Sequence, residues 1–255
     1  APSFVETLVD MVPSNPVAAF ATGNILQIIV FAVFVGVSIG LIGEKGKILI
    51  SFFESFAEVM YKITALVMEM APFGIFALIA WVTGKYGLET LIPLMKVVIG
   101  LYAGCLIHGI FVFGAVLFMF KLNPIRFYKG IFDAITVGYA TSSSSGTLPV
   151  TIRCTEENLG VSNSIASFVL PLGATINMSG TAIYQGVCAL FVSQAYGIPL
   201  GIPQYVTIVF TSIIAAIGTA GVPGSGLIML SLVLTSVGLP MEGVAIVAGI
   251  DRVLD

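Results

Sequence analysis

Charge is what this sequence lacks most. Only 9% of its 255 residues are Asp, Glu, Lys or Arg, against about 25% in an ordinary soluble domain. Another 58% are hydrophobic, so water would be a poor solvent for its surface. One histidine and a net charge of -3 leave no basic stripe, which excludes nucleic acid as a partner. Cysteine is scarce too. Cys105, Cys154 and Cys188 lie far apart, with neither a disulfide framework nor a zinc spacing, and read as small packing residues. No cofactor is expected. The sequence opens at Ala1 without an initiator Met or a leader pattern, and it ends at Asp255 inside an apolar stretch. Gly243 to Asp255 makes roughly 20 Å of helix, short of a bilayer core of about 30 Å. A piece of a longer protein is therefore expected.

What is present is a series of apolar runs. Ile25 to Ile42 is uncharged and about one span long. A charged turn, Gly43 to Lys47, follows. Ile48 to Val82 carries Glu54, Glu58, Lys62 and Glu69 at helical spacings, with Pro72 and Gly74 predicted to break it. Val97 to Phe120 is a second clean span. Lys45 and Lys47 mark one turn, and Lys121, Arg126 and Lys129 mark another two crossings later. Both can therefore be cytoplasmic under the positive-inside rule.

The second half is of another kind. Between Asn158 and Met241 there is no Asp, Glu, Lys or Arg, yet Gly, Ser, Thr, Asn and Pro abound. Irregular backbone at membrane depth survives only where protein or a water-filled cavity satisfies its polar groups. Solute carriers use such broken helices and re-entrant hairpins near the midplane. Two stretches between apolar arms read as hairpin tips, TSSSSGTLP (Thr141 to Pro149) and GTAGVPGSG (Gly218 to Gly226). Between them NMSGT (Asn177 to Thr181) interrupts an apolar helix.

Ser142 to Ser145 offer hydroxyls and closely spaced amides, which suit a carboxylate at a helix N-terminus; in a soluble protein the same run would be a flexible loop. Asn177, Thr181 and nearby carbonyls suit a hard cation, or else an interhelical hydrogen-bonding patch. Asp251 and Asp255, four apart, are placed on one side of one helix. They are either functional intramembrane carboxylates or an interfacial helix end beside a snorkelling Arg252. His108, alone in mid-span, reads as a packing residue.

In order and spacing, TSSSSGTLPVT (Thr141 to Thr151), LPLGATINMSGTAIYQG (Leu170 to Gly186), IGTAGVPGSG (Ile217 to Gly226) and GIDRVLD (Gly249 to Asp255) resemble the glutamate transporter family, the dicarboxylate/amino-acid:cation symporters. MVPSNP (Met11 to Pro16) and MAPFGIFALIA (Met70 to Ala80) fit its earlier helices. The resemblance implies an all-α integral membrane protein of elevator fold, multi-pass in the cell membrane and assembled as a homotrimer. Residues 1–82 would be the later part of the scaffold and 83–255 the transport domain. The latter would comprise a first hairpin at about 128–155, a broken helix at about 164–195, a second hairpin at about 203–238 and the start of the last helix at 243–255. The activity implied is symport of glutamate, aspartate or a C4-dicarboxylate with sodium, or with protons in part; a neutral amino acid is the alternative solute. By motif position, Ser143, Ser144 and Thr181 would hold the solute. Val222 and Gly226 would close over it, and Asp255 would take its ammonium group. Gly173 and Asn177 would form part of one sodium site, and Thr175, Met178, Ala216, Ile217 and Thr219 another.

Four positions bear on coupling and substrate charge. Ser179 stands where the family usually has Asp, which leaves the number of coupled cations open. Ser142 replaces an Arg of the archaeal members. The family's Arg for a side-chain carboxylate would lie beyond Asp255. Gln185 replaces the Glu of potassium-coupled members, which predicts no potassium counter-transport. An ion channel would need a continuous pore in place of two closed hairpins. An intramembrane serine protease, suggested by Ser145-Gly146 and Ser225-Gly226, would need His108 within reach of a serine. The protein is not expected to be an enzyme.

Overall fold

The computed structural model of the chain describes residues 9, 12–70, 73–74, 76–77, 80–81, 84 and 91–255, and among them there is no β-strand. The positions of Met11 and Pro72, and the domain boundary expected at 82/83, lie outside the described residues. Asn-Pro pairs start two of the helices. In α1 (Pro16–Thr22) the Asn15 side chain accepts from the Val17 and Ala18 amides, and Gly23 ends the helix in the left-handed region with φ 69°. Next come α2 (Ile25–Leu41) and, after a charged 3-10 turn, α3 (Lys47–Met68). The long pattern predicted to Val82 thus ends its first helix at Met68, with Glu69 and Met70 in a turn.

α4 (Leu91–Ile107) runs through a π turn, His108–Phe113, into α5 (Gly114–Met119), giving an apolar span of 28 residues from Ile92. A π turn leaves a carbonyl without its usual partner. The Gly109 carbonyl accepts from the Tyr128 hydroxyl of α6 (Pro124–Gly130). His108 lies edge-on against Phe113, with ring centroids 5.0 Å apart, and its buried Nε2 has no hydrogen-bond partner among the described residues.

Three interrupted elements follow. α7 (Phe132–Thr141) and α8 (Ser144–Arg153) pack side by side as a helical hairpin. α9 (Asn163–Ile176) and α10 (Ser179–Ala195) are one rod broken at Asn177 and Met178, which have φ −101° and ψ near 60°. α11 (Ile202–Ile217) and α12 (Ser225–Ser236) form a second hairpin, followed by α13 (Glu242–Ala248) and α14 (Asp251–Leu254). The core lies around α10, where Tyr184, Cys188, Ala189 and Val192 meet Leu230, Val233 and Leu234 of α12, with Val97 and Leu101 of α4 on the other flank.

Lipid removes the hydrophobic gain of joining two apolar helices, so close packing has to hold them. Gly100 and Gly104 of α4, one turn apart, face Val187 and Ile183 of α10. A Cβ on Gly104 would lie 3.0 Å from the Ile183 methyl, and one on Gly100 3.7 Å from Val187. Gly104→Val should therefore destabilise the full-length protein by about 1–3 kcal/mol through overpacking. Gly100→Ala should leave its thermal midpoint unchanged; equal midpoints for all three proteins would show that this approach is not tight. Hydroxyls in the uncharged region are mostly satisfied within their own helices. Thr207, Thr211 and Thr219 donate to carbonyls four residues back at 3.0, 2.7 and 2.7 Å. Both amide atoms of Gln185 and the Ser212 hydroxyl are buried without a partner.

Candidate functional site

Each interruption brings a helix C-terminus and a helix N-terminus to one place. Spare carbonyls at the first give negative potential, and spare amides at the second give positive potential. The first tip is shorter than predicted. Ser142 alone takes the left-handed conformation, with φ 50°, and Ser143 already caps α8 by accepting from the Gly146 amide at 3.0 Å. Ser144 to Pro149, read as loop from the sequence, are helix. Pro149 simply forgoes one backbone bond inside it.

The second tip, Gly218 to Gly224, closes onto the first. The Gly221 carbonyl accepts from the Ser143 hydroxyl at 2.7 Å and from the Ser145 amide at 3.0 Å. A Cβ on Gly221 would lie 2.6 Å from the Ser145 hydroxyl, 2.9 Å from its amide and 3.3 Å from the Ala174 carbonyl. Only glycine fits there. On the other side of the same loop, Asp255 Oδ2 accepts from the Gly224 amide at 2.7 Å. The Ser225 hydroxyl donates to the Ala220 and Val222 carbonyls at 2.7 and 2.8 Å, so the loop also carries its own internal brace.

These contacts enclose a cavity of about 430 Å³ between the two tips, the break in α9–α10 and the chain end at Asp255. Of the residues singled out in the sequence, Ser143, Ser144, Thr181, Val222, Asp255, Gly173, Asn177 and Met178 line it. Gly226 lines an adjoining cavity of about 280 Å³ together with Ser144, Thr181 and Asp255. Thr175, Ala216, Ile217 and Thr219 line neither. The Thr175 hydroxyl donates to the Leu172 carbonyl at 3.0 Å, and the Ala216 carbonyl accepts from the Thr219 amide at 3.3 Å. Asp255 is the one charged side chain on either cavity wall.

The sequence reading missed three things. Gly221 is the hinge of the tip-to-tip contact, and a residue without a side chain gave no signal beyond its glycine-rich setting. Tyr184, which has no role in the sequence reading beyond its place in the LPLGATINMSGTAIYQG stretch, donates its hydroxyl to buried Asp251 at 2.8 Å. The two aspartates expected on one side of one helix do share the single turn of α14, where the Asp255 amide donates to the Asp251 carbonyl at 2.7 Å, but Asp251 engages Tyr184 and Asp255 the Gly224 amide. Tyr102 of α4 bridges to the Tyr139 hydroxyl and the Val253 carbonyl, each at 3.1 Å, tying the span to the first hairpin and to α14.

Backbone ends, hydroxyls and one carboxylate around a small cavity are groups that can hold a polar solute by hydrogen bonds and charge. The sequence model of the sodium:dicarboxylate symporter family matches residues 1–255, and the chain belongs to that family. It is 41% identical over 253 residues to a proton/sodium-glutamate symport protein of Bacillus caldotenax, covering 99% of this chain and 60% of the relative. A C4-dicarboxylate transport protein of Aeromonas salmonicida is 37% identical over 249 residues, with 97% and 58% covered. Excitatory amino acid transporter 2 of Homo sapiens is 37% identical over 238 residues, with 91% and 41% covered. The chain thus spans at most 60% of the length of these relatives.

Proposed function

We propose that the whole protein is a secondary active symporter that moves an acidic amino acid or a C4-dicarboxylate across the cell membrane with sodium, or with protons in part. The observation that carries this reading is the sorting of helix ends at the two tips and the break, some on the cavity wall and some behind it. Ser143 and Ser144 open α8, Thr181 lies in the first turn of α10 and Gly226 in that of α12, all at positive N-terminal ends. Gly173 and Thr175 close α9, and Ala216 and Ile217 close α11, at negative C-terminal ends. Anion-holding and cation-holding positions thus separate by helix polarity, as an anion travelling with cations requires. In this reading a solute carboxylate takes over the α8 amides that the Gly221 carbonyl engages, and Val222 and Gly226 close over it. Asn177, Met178 and Thr219 complete the sodium positions. Residues 83–255 form the moving transport domain, whose two hairpins re-enter the bilayer, and residues 1–82 belong to the scaffold of a homotrimer. No serine nucleophile is needed: the Ser225 hydroxyl is committed to backbone carbonyls.

Full-length protein in liposomes should accumulate radiolabelled glutamate, aspartate or succinate only under an inward sodium or proton gradient. Replacing internal potassium with choline should not slow it, because neutral Gln185 stands at the relevant position. Failure to concentrate any of the three solutes under either gradient would end the symport reading. Ser179 opens α10 at the break. Ser179→Asp should lower the sodium concentration for half-maximal uptake about tenfold, the equivalent of ~1.4 kcal/mol. An unchanged sodium dependence would remove Ser179 from any cation site.

A further inference from the structure

The root of the first hairpin carries a third concavity, whose lining shares no residue with the two cavities at the tips. Beyond Met119 the chain turns at Lys121, with φ 56°, and Asn123 caps α6 by accepting from the Ile125 and Arg126 amides at 2.9 and 3.3 Å. The cleft, about 520 Å³, is lined by Asn123, Ile125, Arg126, Lys129, Gly130 and Asn158. Its floor is fixed. Asn158 Nδ2 donates to the Gly130 carbonyl at 2.7 Å, joining the two arms of the hairpin, and Leu159 packs so close to Gly130 that a Cβ would not fit. Tyr128, between the two cations in sequence, pins α6 to the Gly109 carbonyl in the π turn.

Both cations are exposed and uncompensated. Among the described residues the one ion pair is Lys47–Glu44, so neither Arg126 nor Lys129 pairs with Asp133, Glu156 or Glu157. Glu156 instead accepts from Asn163 Nδ2 at 2.7 Å. Ile125 on the cleft wall is 67% exposed, and in the chain leading into the cleft Phe118, Phe120 and Leu122 are 82%, 71% and 57% exposed. The 28-residue span ends at Met119; it makes about 42 Å of helix, enough to bring its end to headgroup depth. Apolar side chains at acyl level beneath unpaired cations at phosphate level match one ligand chemistry.

We propose that this cleft binds the phosphodiester of an anionic phospholipid in the cytoplasmic leaflet. The Arg126 guanidinium offers a planar fork to two phosphate oxygens, Lys129 adds a point charge, and the acyl chains lie along Phe118 and Phe120. A free phosphate ion shares the charge but gains nothing from the phenylalanines. The inference rests on the membrane placement proposed above, yet lipid association reads it independently of uptake.

The test is electron paramagnetic resonance of spin-labelled phosphatidylglycerol on full-length protein in phosphatidylcholine vesicles, comparing the immobilised fraction with that of spin-labelled phosphatidylcholine. Arg126→Gln and Lys129→Gln should each weaken phosphatidylglycerol association about fivefold, from about 1 kcal/mol per basic residue near an anionic surface, and the double variant about 25-fold. Lys45→Gln/Lys47→Gln should leave it unchanged. Raising NaCl from 0.1 to 0.5 M should weaken association in the unmodified protein severalfold, a reading that needs no variant to fold. The proposal is overturned if phosphatidylcholine associates as strongly, if the double variant retains the preference, or if salt has no effect. Displacement of the lipid by equimolar inorganic phosphate would make the cleft a site for the free ion and overturn the lipid assignment.

Discussion

Gly221→Ala should reduce the initial rate of solute uptake into liposomes by about 10²-fold or more, with the protein still folded. The added methyl would meet the Ser145 amide and hydroxyl and the Ala174 carbonyl inside contact distance, and two of those three atoms are backbone. They cannot yield without moving the first turn of α8 or the end of α9. Overpacking of this kind costs about 1–3 kcal/mol. The displaced loop would also surrender the bonds from the Ser143 hydroxyl and the Ser145 amide to the Gly221 carbonyl, at about 1 kcal/mol each. A combined loss of about 3–5 kcal/mol corresponds to roughly 150- to 4,000-fold in the population of the closed tip. Ser143→Ala is the graded control: it keeps the space but removes one of the two bonds to Gly221 and the α8 cap to Gly146, about 1 kcal/mol each, so it should cost roughly 30-fold at most and less than Gly221→Ala. Uptake by Gly221→Ala at the unmodified rate would mean that tip closure, as the structure has it, lies outside the transport cycle.

The interrupted helices were legible because the cost of a break in a membrane is visible in composition. Serines, glycines and an asparagine occupy stretches where lipid would otherwise select leucine, and each such cluster sits at a break. The extent of each break was not legible. Proline inside TSSSSGTLP looked like loop chemistry, but Pro149 and Pro171 both lie within helices, since neighbouring helices and hydroxyls can satisfy the carbonyl that proline leaves free. Ser143 illustrates both sides. Its type and position marked it as a cap, but its donation to Gly221, 78 residues away, depends on how two hairpins meet.

The same limit explains the aspartates. Spacing four apart puts Asp251 and Asp255 in one helical turn, and the Asp255 amide does donate to the Asp251 carbonyl at 2.7 Å; what spacing could not supply is the partner of each carboxylate, since both partners come from other elements. Asp251 is 7% exposed and engages Tyr184, a residue whose hydroxyl a sequence cannot distinguish from another apolar ring. Tyr184 in turn lies beneath Gly226, where a Cβ would sit 3.5 Å from its ring and from the Thr181 methyl. The buried pair thus supports the wall on which the second tip rests. Intramembrane carboxylates need a partner of this kind, because lipid supplies none.

Asp255→Asn should separate the two solute classes that the family's transporters carry. Asp255 is the charged group on the cavity wall, and its Oδ2 is already braced by the Gly224 amide. Asparagine can still accept that bond through its amide oxygen, so the loop contact survives and the change removes charge alone. Asp255 is exposed at the cavity wall; an α-amino acid there would cover it and pair its ammonium group with the carboxylate, and losing one member of a charge pair covered in that way costs about 2–5 kcal/mol. Uptake of glutamate or aspartate at low concentration should fall by roughly 30- to 4,000-fold. A C4-dicarboxylate has no ammonium and meets Asp255 as a like charge, so succinate uptake should be unchanged or improved by the same substitution. Opposite signs for the two solutes would fix Asp255 as the ammonium partner and mark the unmodified protein as an amino-acid carrier. Equal losses for both would assign the carboxylate to the loop brace or to a cation, since neither role distinguishes one solute from the other.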